Sequence, residues 1–482
     1  MRGSRAAGLL GDGYTFFFYE MGASPRAMSE QYDIVVVGGG TAGAFAAATA
    51  ADEGLDVVIL ERKSEDDAGH IACGDAIKGT DTFPDVIDLD YLREESFTNE
   101  NIRKAVFENP QTHETLDIPF PDGGGAIVDR KRYGEVLLEE AERAGAEIHY
   151  DTVVQDVIQN GAVEGVTATH RGSPKRYEAP VTIDAAGALS LLQDKADLTD
   201  ATFDTNVDYS QFCSAYREVV TVDEPVDYDD SIVFKPTEEL GYLWYFPRSP
   251  TEINVGLGFQ MNKSPMKLVE ALKKDLRQRP EFKNATVKDK LGAALPTRRP
   301  YDSATAAGLV AVGDAAGHVN PTTGGGIPGA AKAGTWAARE AIDAVAEGDT
   351  SEQRLWEYNH KVMTDFGKRF AAMDLYNIFG GANDVDDLVG LISAMPGQQL
   401  VDALGKEGTA SMSLGLKLKT IINTVGQWDT LYDLYRVTNL ATKLKEVYDT
   451  YPTSPDGFEA WRDRRDGVLD EVYEVTGAEP KY

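Results

Sequence analysis

Two short apolar runs, Ile34 to Val37 and Val57 to Leu60, bracket the glycines of GGGTAG and an alanine-rich segment. Uninterrupted apolar runs of four, bounded by turn signals, suit strands buried on both faces, so this stretch predicts strand, tight turn, helix, strand. Helical spacing recurs over Tyr133 to Ala144 and stops at Gly145. Ile148 to Val154 and Val163 to Thr169 read as strands of a meander, and Val181 to Ala185 as a returning parallel strand. Residues 81–122, rich in Asp, Pro and Asn, read as irregular, with a weak strand near Ala105 to Phe107. Beyond Asp200 the period changes to two. Ile232 to Phe234, Tyr242 to Phe246 and Ile253 to Phe259 predict an antiparallel sheet, followed by a helix over Met266 to Leu276. Leu309 to Val312 is again a short buried strand, an alanine-rich helix runs to about Val345, and the remainder is largely helical by composition.

These patterns divide the chain. Residues 30–195 and 296–347 form a discontinuous nucleotide-binding domain, 196–295 an inserted antiparallel-sheet domain that would carry substrate, and 348–482 a helical region. The fold class is α/β. A length of 482 residues exceeds what one core usually organises. Residues 1–29 fit neither a signal sequence nor a domain. Met28 opens MSEQYDIVVVGGG directly before the first strand, so residues 1–27 read as a disordered extension or a misassigned start.

Charge narrows the setting. The formal net charge is −32, yet 42% of residues are hydrophobic, more than a disordered chain would carry. Such acidity fits a folded protein of a high-salt cytoplasm, where screening weakens self-repulsion, and it argues against nucleic acid as a partner. Two cysteines, Cys73 and Cys213, give neither a disulfide framework nor a metal cluster, so no metal is expected. No apolar run is long enough to span a bilayer.

Candidate chemistry concentrates at three places. Gly38, Gly40 and Gly43 stand at G-x-G-x-x-G spacing with Ala42 among them. The first glycine permits the turn, the second lets a pyrophosphate approach the backbone, and the third packs helix on strand. Glu61, with Arg62 beside it, ends the second strand where a ribose would need an acceptor. Next, the loop Cys73-Gly74-Asp75-Ala76 brings a thiol and a glycine near any ligand, with Cys73 equally readable as a small buried residue. Last, Leu309 to Val312 delivers Gly313-Asp314, and His318, Gly325, Gly326 and Ile327 lead into the next helix. In the predicted sheet, Tyr242, Trp244 and Phe246 share one face by period two, with Pro247 after them, while Leu243 and Tyr245 face the other way.

With these segments placed, the chain resembles the archaeal geranylgeranyl reductase family, which includes the digeranylgeranylglycerophospholipid reductases. The resemblance spans roughly residues 30–470. It rests on GGGTAG with Glu61, CGDAIKG at 73–79, YLWYFP at 242–247 matching Y-x-W-x-F-P, NVGLG at 254–258, PTRRP at 296–300 and GDAAGHVNPTTGGGI at 313–327. It implies a Rossmann-type, one-dinucleotide-fold flavoprotein of the p-hydroxybenzoate hydroxylase kind that holds FAD and saturates isoprenoid double bonds of membrane-lipid precursors. In such folds Arg130 lies toward the ribityl or phosphate region, the backbone near Val154 toward adenine, and Asp314 toward a ribityl hydroxyl. The aromatic run would shape the lipid pocket, and Cys73 and His318 are the titratable candidates for the proton donor.

No second strand–glycine–helix nucleotide unit occurs in 348–482, so electrons are expected from a transient donor, either a ferredoxin-like protein or reduced nicotinamide. Residues 411–447 interleave Lys417, Lys419, Lys443 and Lys445 with apolar positions, a pattern of interfacial helices and equally of helices packed on a core. The expected location is cytoplasmic, with peripheral contact at the inner face of the membrane. Two alternatives stand beside the reductase: a flavin-dependent monooxygenase or halogenase, against which Tyr242 and Phe246 count in place of the Trp and Ile of W-x-W-x-I-P, and a prenyl-lipid carrier without chemistry.

Overall fold

The computed structural model describes residues 28–78, 82–120, 124–205, 207–237, 241–261, 264–394 and 428–482. Its centre is a six-stranded sheet in the order Thr305–Ala306, Leu309–Ala311, Val181–Asp184, Ile34–Val37, Val57–Leu60, Glu147–His149, parallel except for its Thr305–Ala306 edge. Helices Thr41–Asp52, Arg130–Ala144 and Ile327–Glu347 bury their apolar faces in one core with it. Small residues set how closely they approach: a Cβ on Gly334 would lie 2.1 Å from the Ala42 carbonyl oxygen. A four-stranded sheet, Met28–Gln31, Ser173–Glu178, Ala162–His170 and Thr152–Asn160, lies alongside.

The expected strand Ile148 to Val154 is two strands, Glu147–His149 in the central sheet and Thr152–Asn160 in the four-stranded one. Asp151 between them has φ +52°, a left-handed conformation that ends one strand and redirects the next.

Residues 81–122 are far from irregular. They hold a helix, Leu89–Ser96, and strands Phe97–Ile102, Lys104–Glu108 and Thr115–Pro119. The last two extend the antiparallel-type sheet, which has seven strands rather than the expected three: Thr286–Pro296, Phe212–Thr221, Glu252–Gln260, Gly241–Ser249, Ser231–Thr237, Lys104–Glu108, Thr115–Pro119. This sheet therefore draws on residues well before position 196. Leu243, Tyr245, Val255 and Leu257 pack with Leu268, Leu272 and Leu276 of helix Pro265–Leu276. Trp244 and Phe246 belong to a separate apolar cluster on the opposite face, as period two requires.

Beyond Gly348 the described residues are mainly helical, and Trp356, Tyr448, Tyr451, Phe458 and Trp461 pack into a second core. The final residues return to the centre. Lys481 Nζ reaches Asp374 Oδ1 at 2.6 Å, and Gln211 Nε2 donates to the Lys481 carbonyl at 3.0 Å. Lys417 and Lys419 lie outside the described residues, whereas Lys443 pairs with Glu471. No helix among the described residues is long and apolar enough to cross a membrane.

Candidate functional site

A single cavity of ≈ 1910 Å³ connects the nucleotide turn to the aromatic face of the seven-stranded sheet. That is roughly twice the upper size of a pocket for one drug-sized ligand, so it has room for two occupants. At one end lie Gly38, Gly40, Thr41 and Ala42. Gly38 has φ +104°, and a Cβ there would stand 2.4 Å from the Ala185 carbonyl oxygen. A Cβ on Gly43 would lie 2.0 Å from the Gly38 carbonyl oxygen, so Gly43 holds helix to turn and takes no part in the cavity lining. Around a Cβ on Gly40 there is only open space. Among the described residues no side chain caps helix Thr41–Asp52, which leaves its first-turn amides for an anion.

Charged groups around this end are incompletely paired. Arg130 is buried on the cavity wall, its Nη2 donating to Thr41 Oγ1 at 3.3 Å and its Nη1 without a partner among the described residues. Burial pushes the Asp314 carboxyl up to about 6 against the pull of Arg130, and no side-chain hydrogen bond relieves it among the described residues. Glu61 accepts from Gly39 N and Lys63 N, both at 2.9 Å, which uses part of its acceptor capacity and shapes the turn as well as facing the cavity. Arg62, Val154, Gly313, Gly325, Gly326 and Ile327 join the same lining.

The other end is apolar. Tyr242, Trp244 and Phe246 face it, with Ile232 and Phe234 from the neighbouring strand. The Phe234 ring meets those of Tyr242 and Phe246 edge-on, each at a centroid distance of 5.2 Å. Between the two ends comes the loop Cys73 to Ala76, where Cys73, Gly74 and Ala76 line the wall. Burial, with the charge of Asp75 adding to it, raises the Cys73 thiol pKa. The group is therefore held as a neutral S–H.

An FAD binding domain family model matches residues 31–369. A digeranylgeranylglycerophospholipid reductase of Methanococcoides burtonii is 31% identical over 71% of this chain and 82% of its own length. One from Sulfolobus acidocaldarius is 29% identical over 92% of this chain and 98% of its own. The chain belongs to the digeranylgeranylglycerophospholipid reductase family. A solved structure described as geranylgeranyl bacteriochlorophyll reductase-like, from Thermoplasma acidophilum, shares the fold of this reductase family member with a TM-score of 0.69 at 23% identity, over 85% of this chain and all of that one.

FAD fits the polar end of the reductase cavity. The unpaired Arg130 Nη1 calls for an anionic acceptor, the Asp314 carboxylate for a hydroxyl donor, and the open space beside Gly40 for a group pressed against backbone. Two expectations from sequence need correction. His318 is 1% exposed and outside the cavity lining, packed against Phe366 and Tyr358. Its Nδ1 accepts from Gly313 N at 3.1 Å, and burial pushes its pKa down to about 3. It is thus a neutral brace for the Gly313 turn, with no route to a ligand. Pro247 faces away from the cavity, its carbonyl accepting from Asn99 Nδ2 at 2.9 Å.

Sequence reasoning also passed over Asp75, Arg248 and Asn254, all buried and hydrogen-bonded in one network that reaches Trp244. The available signal was polarity out of place: an Asn on the same period-two face as Gly256 and Gly258, and an Arg immediately after the aromatic run.

Proposed function

We infer that the chain is an FAD-dependent reductase that saturates the isolated double bonds of geranylgeranyl chains on archaeal glycerophospholipid precursors. The observation that carries this reading is the continuity of one cavity from a dinucleotide turn to an apolar wall of Tyr242, Trp244 and Phe246. Gly38, Gly40 and Ala42 would hold the pyrophosphate on the first-turn amides of helix Thr41–Asp52. Arg130 would add its free Nη1, Asp314 and Glu61 would accept from ribityl and ribose hydroxyls, and Gly313, Gly325, Gly326 and Ile327 would bound the ring. Bound FAD, once reduced, supplies the hydride.

An isolated alkene offers no carbonyl to polarise, so the protein must orient the chain and place a proton on the second carbon. Cys73, neutral and lining the cavity, is assigned that proton through its S–H. The faces of Tyr242 and Trp244 would ease positive charge developing on the tertiary carbon by about 0.5–2 kcal/mol per contact, with Phe246 and Phe234 excluding water. The electron donor is assigned as a transient one, reduced nicotinamide or a ferredoxin-like protein. Peripheral contact with the membrane is assigned to helix Trp428–Tyr448, where Tyr432 and Tyr435 are exposed.

Anaerobic incubation with dithionite and a geranylgeranylated glycerophospholipid, followed by mass spectrometry, tests the function. Addition of hydrogen in steps of two per double bond is expected. A flavin-loaded protein that leaves the lipid untouched and instead forms an oxygenated or halogenated product in air would overturn it.

A further inference from the structure

Beside the aromatic wall, on the same face of the sheet, a single carboxamide joins three elements. Asn254 is fully buried on strand Glu252–Gln260, in register with Phe246. Its Oδ1 accepts from Trp244 Nε1 at 2.9 Å, and its Nδ2 donates to the Cys73 carbonyl at 2.8 Å and to Asp75 Oδ2 at 2.6 Å. An indole N–H can only donate, and carbonyl and carboxylate oxygens accept, so the three partners permit one orientation of the amide. Asp75 is itself fixed: fully buried, at φ +70°, with Arg248 Nε and Nη2 at 2.8 and 2.7 Å from the same carboxylate.

Two glycines confine the indole further. A Cβ on Gly256 would sit 2.4 Å from Trp244 Cζ2, and a Cβ on Gly74 would sit 2.9 Å from Phe246 Cε2 and 3.4 Å from Trp244 Nε1. Trp244 belongs to the seven-stranded sheet and Cys73 to the loop that follows the nucleotide strands. Asn254 is the side chain hydrogen-bonded to both.

We propose that Asn254 is a positioning residue that sets the indole face of Trp244 against the Cys73 loop, so that an alkene lying on the wall meets its proton source in one fixed geometry. This rests on the assignment of the cavity to isoprenoid reduction. Displacement of reacting groups by about 1 Å costs on the order of 10²-fold in rate. Asn254→Leu removes all three hydrogen bonds while keeping the volume. Asn254→Asp keeps the acceptor for Trp244 but sets a second carboxylate against Asp75 and loses the tie to the loop.

The experiment compares wild type, both Asn254 variants, Trp244→Phe and the Asn254→Leu/Trp244→Phe double variant. Each is loaded with FAD and measured for flavin content, the kcat and KM for the geranylgeranylated lipid, and the Trp244 emission obtained by difference from the matching Trp244→Phe protein. Expected are unchanged flavin content, a shifted Trp244 emission in Asn254→Leu, a roughly 10- to 100-fold fall in kcat with KM moving less than threefold, and a double variant far less impaired than the product of the singles. Unchanged emission and kcat in Asn254→Leu, or a loss of flavin in both Asn254 variants that matches the loss of activity, would overturn the proposal. If wild type itself leaves the lipid unreduced, the functional assignment fails, whereas the emission shift reports the clamp independently.

Discussion

The two ends of the cavity solve opposite problems. At the nucleotide end, polar groups are left open among the described residues: Arg130 Nη1 has no partner, the Asp314 carboxyl is raised to about 6, and the helix that starts at Thr41 has no side-chain cap. At the aromatic end, polar groups are tied to one another beside the rings, Trp244 to Asn254, Asn254 to Asp75, and Asp75 to Arg248. Unpaired buried polar groups are costly unless a ligand completes them, whereas in this network Asp75 Oδ1 is the one atom without a partner among the described residues, and the wall itself presents ring faces to the cavity. One end leaves polar groups for a cofactor to complete, and the other presents an apolar wall, as the proposed function requires.

The most damaging way to probe this contrast separates two glycines of one motif. Gly43→Val drives a side chain into the Gly38 carbonyl, so no folded protein is expected by circular dichroism. Gly40→Val points into open space, so a folded but colourless protein is expected, and full flavin occupancy would remove the assigned site.

At the aromatic end the comparison is between adjacent residues. Trp244→Ala should lower turnover about 10-fold while leaving the flavin spectrum intact. Leu243→Ala, which empties space in the core beneath helix Pro265–Leu276, should instead cost about 2–5 kcal/mol in denaturant unfolding and keep turnover per folded molecule. Reversal of these two outcomes would reverse the facing of the strand.

A smaller effect concerns pH. Without ligand, the raised Asp314 pKa keeps this carboxyl protonated below about 6. A hydroxyl donated by FAD favours the charged form and lowers that pKa, so binding releases a proton and affinity rises between pH 5 and pH 7. Titration of FAD fluorescence should show Kd falling several-fold across that window, and Asp314→Asn should flatten the dependence.

The weakest expected effect lies outside the cavity. Replacing Lys417, Lys419, Lys443 and Lys445 by Glu should reduce sedimentation with anionic vesicles at low salt, each lysine contributing up to ~1 kcal/mol. The pairing of Lys443 with Glu471 already reduces its share. Flavin content should not change. Wild type that ignores such vesicles while folded would return helix Trp428–Tyr448 to an internal role.

What could be read from sequence alone was local. The turn at Gly38 to Gly43, the strands on either side, the GD turn at 313–314 and the shared face of Tyr242, Trp244 and Phe246 are written in spacing over a few residues, because steric limits on the backbone and the two periods of helix and strand act at short range. Four strands of the seven-stranded sheet were less legible. Phe212–Thr221 buries Arg217 and Glu218, Thr286–Pro296 is charged and rich in small residues, and Lys104–Glu108 and Thr115–Pro119 sit in a polar stretch. Their place is set by pairing with distant strands, so local propensity was overridden. Pro247, turned away from the cavity, follows the period-two parity of Leu243 and Tyr245, whereas the side chain whose orientation only the fold decides was His318, turned inward onto Gly313. The same holds for Asn254 and Asp75, distant in the chain but hydrogen-bonded in the structure, because burial makes a polar group find whatever partner the tertiary packing brings within reach.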